Sequence, residues 1–507
     1  MATLRYRIRT QFQAVYARIT LTPTTVAFLI LSLVTCVALA LIQAVLYYTD
    51  ENAASLALGV LHEAQIPTNQ VAWVTGPNSH PTLRLCTSIP YGNQNACTTV
   101  FPGNVTSQRS CMDYDTLSTV HTASGVTLQP VQDFTSGAIE GVCLGDFGNN
   151  TRRFLSAQCA ETLVYPAYVL DNTRREDLAL VFSQIWLVAI SLFAVSYNSI
   201  PHVLAVICTR VISTGWSAFA LWRTTHVEQR FAGLLVQPGT PCSINLFPSY
   251  FSTRIAVQIS DVALNAVGLF ASLYLGAQLV KLYSKSTFQR AGPPPSVIKI
   301  YRYFLAIFVF LQLCVFFLVV AMSLWVDQLF NSPISLISSH TKLYDALFIF
   351  TVITFLPWIA MGWFAVRREC SRLMTLFLVI CLAYVVGWAT MFDSKVFRWT
   401  FMQWPFFACV TVVSFCVLVI SGGFGVVCWR NFGEGLAHYL HVEAVLAESG
   451  FAQEVFTHDT EPDKSRLHSP TALSDRPTVK RDHNWSWKDN EMERPPIYMV
   501  DLEDHRF

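Results

Sequence analysis

The chain has 507 residues, 53% of them hydrophobic and 13% charged, with a mean hydropathy of +0.41. Soluble domains carry about 25% charged residues, so this composition excludes an ordinary soluble protein and predicts an integral membrane one. A formal net charge of +1 leaves no basic surplus to attract nucleic acid, and the information lies in how charge is distributed.

The first apolar run, TVAFLILSLVTCVALALIQAVLYY (25–48), follows Arg5, Arg7, Arg9 and Arg18. It exceeds the about 7–15 apolar residues of a cleaved signal peptide and satisfies the about 20 needed to cross a bilayer. It predicts a signal anchor with residues 1–24 in the cytosol; cleavage near Ala57 is the weaker alternative. In ENAASLALGVLHEAQI, residues Leu56, Val60, Leu61 and Ala64 share one helical face, so the span is expected to continue as a stalk.

Residues 49–177 are polar and turn-rich. They hold two glycosylation sequons, Asn104-Val-Thr and Asn149-Asn-Thr, and five cysteines, Cys86, Cys97, Cys111, Cys143 and Cys159. Sequons beside a cysteine cluster, after a span entered from an Arg-rich side, predict an extracytoplasmic domain. Short alternating runs such as QVAWVTG, TLRLCTSI and GVCLGD predict a small β-rich fold. Five cysteines are an odd number, so one is expected to pair elsewhere.

Residues 178–428 carry the remaining apolar runs. The first 45 of these, 178–222, suffice for two spans if the chain turns at Tyr197-Asn-Ser before Pro201. The further runs are 254–280, 303–325, 343–366, 373–392 and 404–428. Eight spans place 13 cations of the termini and short loops inside, against six outside: Arg223, Arg230, Arg254, Lys342, Lys395 and Arg398. Seven spans, the alternative, give 11 against nine and translocate the basic loop KLYSKSTFQRAGPPPSVIKIYR. The positive-inside bias therefore favours eight. Cys242 then joins the outer set, and six cysteines allow three disulfides in any of 15 pairings.

The fold class predicted is thus an all-α polytopic membrane bundle with a small β-rich, disulfide-braced ectodomain between spans one and two. Ionisable residues within it are functional candidates. Arg210, Ser213/Thr214 and Ser217 recur along span three; Gln258, Asp261 and Asn265 line one face of span four. An Arg210–Asp261 pair is expected, either lining a polar cavity or fixing helix packing.

An amphipathic cytosolic helix is expected over 429–456, with Leu436, Tyr439, Leu440 and Leu446 on one face. His438, His441 and Glu443 on its polar face read as solvated rather than as metal ligands, so no metal is expected. Residues 457–507 are poor in aliphatic side chains and read as a disordered tail. Within them Pro495, Pro496 and Tyr498 form a PPxY segment suited to a WW domain. That segment resembles the docking signal for WW-containing ubiquitin ligases, with Lys464, Lys480 and Lys488 as acceptor candidates. Ser469-Pro470 is a phosphorylation candidate, and Asn484-Trp-Ser is a sequon usable only outside.

The stretches TRIAVQISDVALNAVGLF, LWVDQL, RWTFMQWPFFACVTV and WRNFGEGLAHYLHVE resemble an uncharacterised family of fungal, mainly basidiomycete, multi-pass membrane proteins. The resemblance covers about 178–456 and implies a fungal membrane protein, with no activity or site to carry over. No P-loop, zinc-protease, nucleophile-elbow or dinucleotide motif occurs, so no enzyme and no cofactor is expected. The layout predicts a cell-surface sensor or receptor-like protein, at the plasma membrane or another secretory membrane, with both termini cytosolic. Its ectodomain would bind an unknown extracellular ligand. A transporter or channel using Arg210 and Asp261 is the competing reading, and a membrane scaffold or enzyme of unrecognised motif the third.

Overall fold

The computed structural model describes residues 22–434 together with 16, 19, 20 and 442. Within that span, 68, 78–80, 91–96, 103–110, 112–119, 122–125, 133–137, 147–151, 292–294, 333 and 335–340 are left undescribed. Asn104, Asn149, Asn484, the PPxY segment, the three tail lysines, Ser469 and the His438/His441/Glu443 group all lie outside the described residues.

Among the described residues eight helices are long and apolar enough to cross a membrane, and the chain is a multi-pass membrane protein. α1 spans Pro23–Glu63, capped by the Thr22 hydroxyl with proline at its first turn. Its 41 residues run about 60 Å at 1.5 Å each, so it crosses and then projects as the expected stalk. A three-stranded antiparallel sheet follows, β1 (Val71–Thr75), β2 (Thr82–Cys86) and β3 (Cys97–Phe101). A four-stranded one comes next: β4 (Val120–His121), β5 (Val126–Gln132), β6 (Ile139–Asp146) and β7 (Arg152–Ser156). After the short α2 (Ala157–Thr162), α3 (Val164–Ser196) returns through the membrane.

The chain does reverse before Pro201. α3 stops at Tyr197, Asn198 takes φ +48°, and α4 (Ile200–Phe231) begins with Pro201 in its first turn. A left-handed residue followed by proline ends one helix and starts another. One π turn (Ala232–Val236) closes α4. Then come α5 (Tyr250–Ala291), α6 (Pro295–Asn331), α7 (Thr341–Arg367), α8 (Ser371–Met391), the short α9 (Lys395–Gln403) and α10 (Pro405–Arg430).

The boundaries expected at 48/49 and 177/178 fall inside α1 and α3, and 428/429 falls inside α10. Gly433, at φ +93°, lies in the turn that follows α10. The β-domain is also not a free module. Leu83, Leu85, Val100, Leu128, Val142 and Leu155 form one core with Ala57 and Val60 of α1, Leu163 between α2 and α3, Leu170 of α3, and Phe231, Leu235 and Phe247. The bundle itself has two halves of different chemistry. Trp325, Trp358, Phe377, Phe397, Trp404 and Phe407 pack the α6–α10 half through aromatic contacts, Trp358 stacking on Phe377 at 4.9 Å. The α1, α3, α4 and α5 half is joined by polar side chains.

One glycine of the sheet is required by its neighbours. A Cβ on Gly141 would stand 2.1 Å from the Leu155 carbonyl oxygen, so Gly141→Ala must part β6 from β7. A loss of about 1–3 kcal/mol is expected, read as a lowered Tm of the purified chain.

Candidate functional site

α1, α3, α4 and α5 cross with alternating direction, so residues seven apart on each lie two turns, about 10.5 Å, apart along the bundle. Polar side chains repeat at that interval on all four. The layer nearest the β-domain holds Asp50, Asp177, Thr224 and Arg254. The next holds Gln43, Gln184, Ser217 and Asp261. The deepest holds Thr35, Ser191 and Arg210, and all of these are buried.

Arg254 is the hinge of the first layer. Its guanidinium pairs with Asp50 Oδ1 and lies 3.5 Å from Asp177 Oδ2, while the Tyr250 hydroxyl donates to Asp50 Oδ1 at 2.8 Å. Asp50 is fully buried, and Asp177 and Arg254 are each 2% exposed. Beside them Glu176 accepts from Trp216 Nε1 and from Arg223 Nη2, both at 2.8 Å. Arg223 also stacks over Trp216. One carboxylate from α3 thus holds α4 by two contacts. In the second layer Asp261 accepts from Ser217 Oγ and from Gln43 Nε2, the latter at 3.0 Å. In the third Arg210 Nη2 donates to Thr35 Oγ1 at 2.5 Å, and Ser32 Oγ donates to Ser191 Oγ at 2.8 Å.

The expected Arg210–Asp261 ion pair is not formed. The two sit two turns apart on antiparallel neighbours, and each finds a neutral partner within its own layer. Gln258, Asp261 and Asn265 do share a buried face, with Asn265 Nδ2 donating to the Asp261 carbonyl at 3.0 Å. Arg223 and Arg254, expected in outer loops, are helical and bonded to buried acids. Asp50, Glu176 and Asp177 were not singled out in the sequence because they stand at the edges of apolar runs, where charge ordinarily marks the end of a span. The signal that finds them is the seven-residue interval: 43/50, 177/184, 210/217/224 and 254/261.

The six cysteines pair as Cys86–Cys97, Cys111–Cys143 and Cys159–Cys242. The first joins partners across β2 and β3. The last recruits the segment after α4 to the β-domain, which settles the odd count.

A cleft of about 1470 Å³ opens between α1, α3, α6 and the first sheet. Its mouth is charged. Arg174 reaches Glu51 at 2.5 Å and Asp171 at 2.6 Å; Arg175 pairs with Asp171 at 2.9 Å and with Asp327. Its floor is apolar, with Leu178, Phe182, Ile185 and Val319 exposed along it. A second cavity, of about 290 Å³, lies between α3, α4, the first turn of α5 and the start of α10. Neither is lined by Arg210 or Asp261. Among the described residues no group of three His, Cys, Asp or Glu side chains could hold a metal ion.

Set beside protein-family models, curated proteins and solved structures, the chain matches none.

Proposed function

We propose that the protein is a membrane sensor that takes an amphiphilic ligand in the cleft between α1, α3 and α6, with the β-domain on the exoplasmic side. The cleft is the observation that carries this reading. Its walls come from both the β-domain and the spans, its floor faces the apolar level of the bilayer, and its mouth presents both signs of charge. That combination suits an acyl or similarly apolar body and a zwitterionic head group. The three disulfides support an oxidising compartment for the β-domain. Eight crossings then return the chain to the cytosolic side after α10, where the PPxY residues Pro495, Pro496 and Tyr498 would serve turnover through a WW-domain ligase.

The mechanism of response follows from what lines the cleft. α3 carries Asp171, Arg174 and Arg175 toward the ligand and Glu176 and Asp177 toward α4 and α5. A ligand that shifts α3 therefore strains the Arg254 layer directly, which is how differential contacts would favour one bundle arrangement over another.

The test is photolabelling of the purified chain by a diazirine-bearing phosphatidylcholine. Ile185→Trp with Val319→Trp fills the floor and should cut labelling about tenfold, about 1.4 kcal/mol. Leu382→Trp, on the exposed face of α8, should leave it unchanged. Equal labelling of all three chains would remove the cleft from consideration.

A further inference from the structure

The polar column of α1, α3, α4 and α5 is left short by its own groups. Asp261, 4% exposed, receives hydrogen bonds from Ser217 and Gln43 but joins no ion pair among the described residues. Its layer of Gln43, Gln184, Ser217 and Asp261 holds one carboxylate and no guanidinium. A lone carboxylate at this depth carries a heavy desolvation cost unless neutralised.

A second observation says what neutralises it. Gln43 Oε1 and Gln258 Oε1 have no hydrogen-bond donor, although both side chains are only 4% exposed. Gln43 Oε1 sits one amide width from the nitrogen bonded to Asp261, and Gln258 precedes Asp261 by three residues on the same helical face. In the same layer Gln184 Oε1 is likewise buried without a hydrogen-bond donor among the described residues. Every one of these is an oxygen acceptor. Buried oxygens without donors are the ligand type that a hard cation takes.

We propose that the column binds one monovalent metal cation of sodium size at the level of Asp261, with its carboxylate, Gln43 Oε1, Gln258 Oε1 and Ser217 Oγ as oxygen neighbours. One charge restores balance, whereas a divalent ion would overshoot it. A proton on Asp261 restores the charge too and, with the Gln43 amide turned over, gives that oxygen a donor, yet leaves Gln258 Oε1 without one. The inference is independent of the cleft, which none of the four proposed ligands lines.

The full chain, purified in detergent, is melted across a sodium chloride titration with ionic strength held by N-methyl-D-glucamine chloride. Wild type should gain Tm saturably with sodium, as linkage requires of a ligand bound only by the folded state. Asp261→Asn should abolish the gain, and Gln258→Leu should raise the sodium needed by about tenfold. A wild-type Tm indifferent to sodium overturns the proposal, as does a sodium effect that survives Asp261→Asn. So does a Tm that ignores sodium but shifts with pH only when Asp261 is present, which would assign a proton instead. Should Asp261→Asn not fold, the comparison of wild type with Gln258→Leu decides: equal sodium midpoints overturn the site.

Discussion

Arg254→Leu should cost about 3–5 kcal/mol and leave little folded protein at the membrane. The guanidinium serves Asp50 and Asp177 at once, from three different helices, and all three groups are sealed from solvent. Removing one partner of a buried ionic set leaves the others uncompensated, which is far worse than losing the contact itself. The diagnostic is the rescue. Arg254→Met combined with Asp50→Asn and Asp177→Asn removes charge from all three together and should recover most of the loss. Gel filtration of the solubilised chain and its Tm would report both effects. A monodisperse Arg254→Leu chain melting within about 2 °C of wild type would show that the set contributes nothing.

The second large effect belongs to the Cys159–Cys242 bridge. It closes a sequence separation of 83 residues and joins the first turns after β7 to the segment that follows α4. In the chain-entropy account that is worth about 4.5 kcal/mol, against about 3 for Cys86–Cys97 with a separation of 11. The difference in structure points the same way. Cys86 and Cys97 face each other in a ladder that β2 and β3 hold by backbone hydrogen bonds, so the hairpin survives their loss. Cys242 has no ladder; its segment is held by Phe231, Leu235 and Phe247 in the shared core. The double change Cys159→Ser with Cys242→Ser should therefore lower Tm more than Cys86→Ser with Cys97→Ser. The reverse order would mean that the shared core needs no clamp.

Much of the fold was legible because membrane insertion is read from local chemistry. A run of apolar side chains must cross whatever its neighbours do, and the turn before Pro201 follows from proline geometry and the length of 178–222. The strands QVAWVTG, TLRLCTSI and GVCLGD were equally readable, since alternation is a local property. The candidate site was legible only in part. Gln258, Asp261 and Asn265 were found on their shared face, but Arg210 was matched to the wrong partner. Depth along two antiparallel helices depends on where each one starts, and an error of a few residues at each end exceeds the 10.5 Å between layers. Arg223 and Arg254 were placed in loops because charge at the edge of an apolar run ordinarily ends a span. Here the helices run on past the bilayer into the β-domain.

The sequence by itself determined the eight apolar helices, the β-rich insert between the first two and the set of six cysteines, because each rests on spacing or composition within one segment. Only the tertiary structure decided which cysteines meet, that Arg254 answers to Asp50 and Asp177, and that α1, α3 and α6 leave a cleft beside the first sheet. The reason is physical. Apolar burial is nondirectional and can be satisfied by any lipid or helix, whereas a hydrogen bond, an ion pair or a disulfide needs two particular groups at one distance, and that distance exists only after the helices have packed.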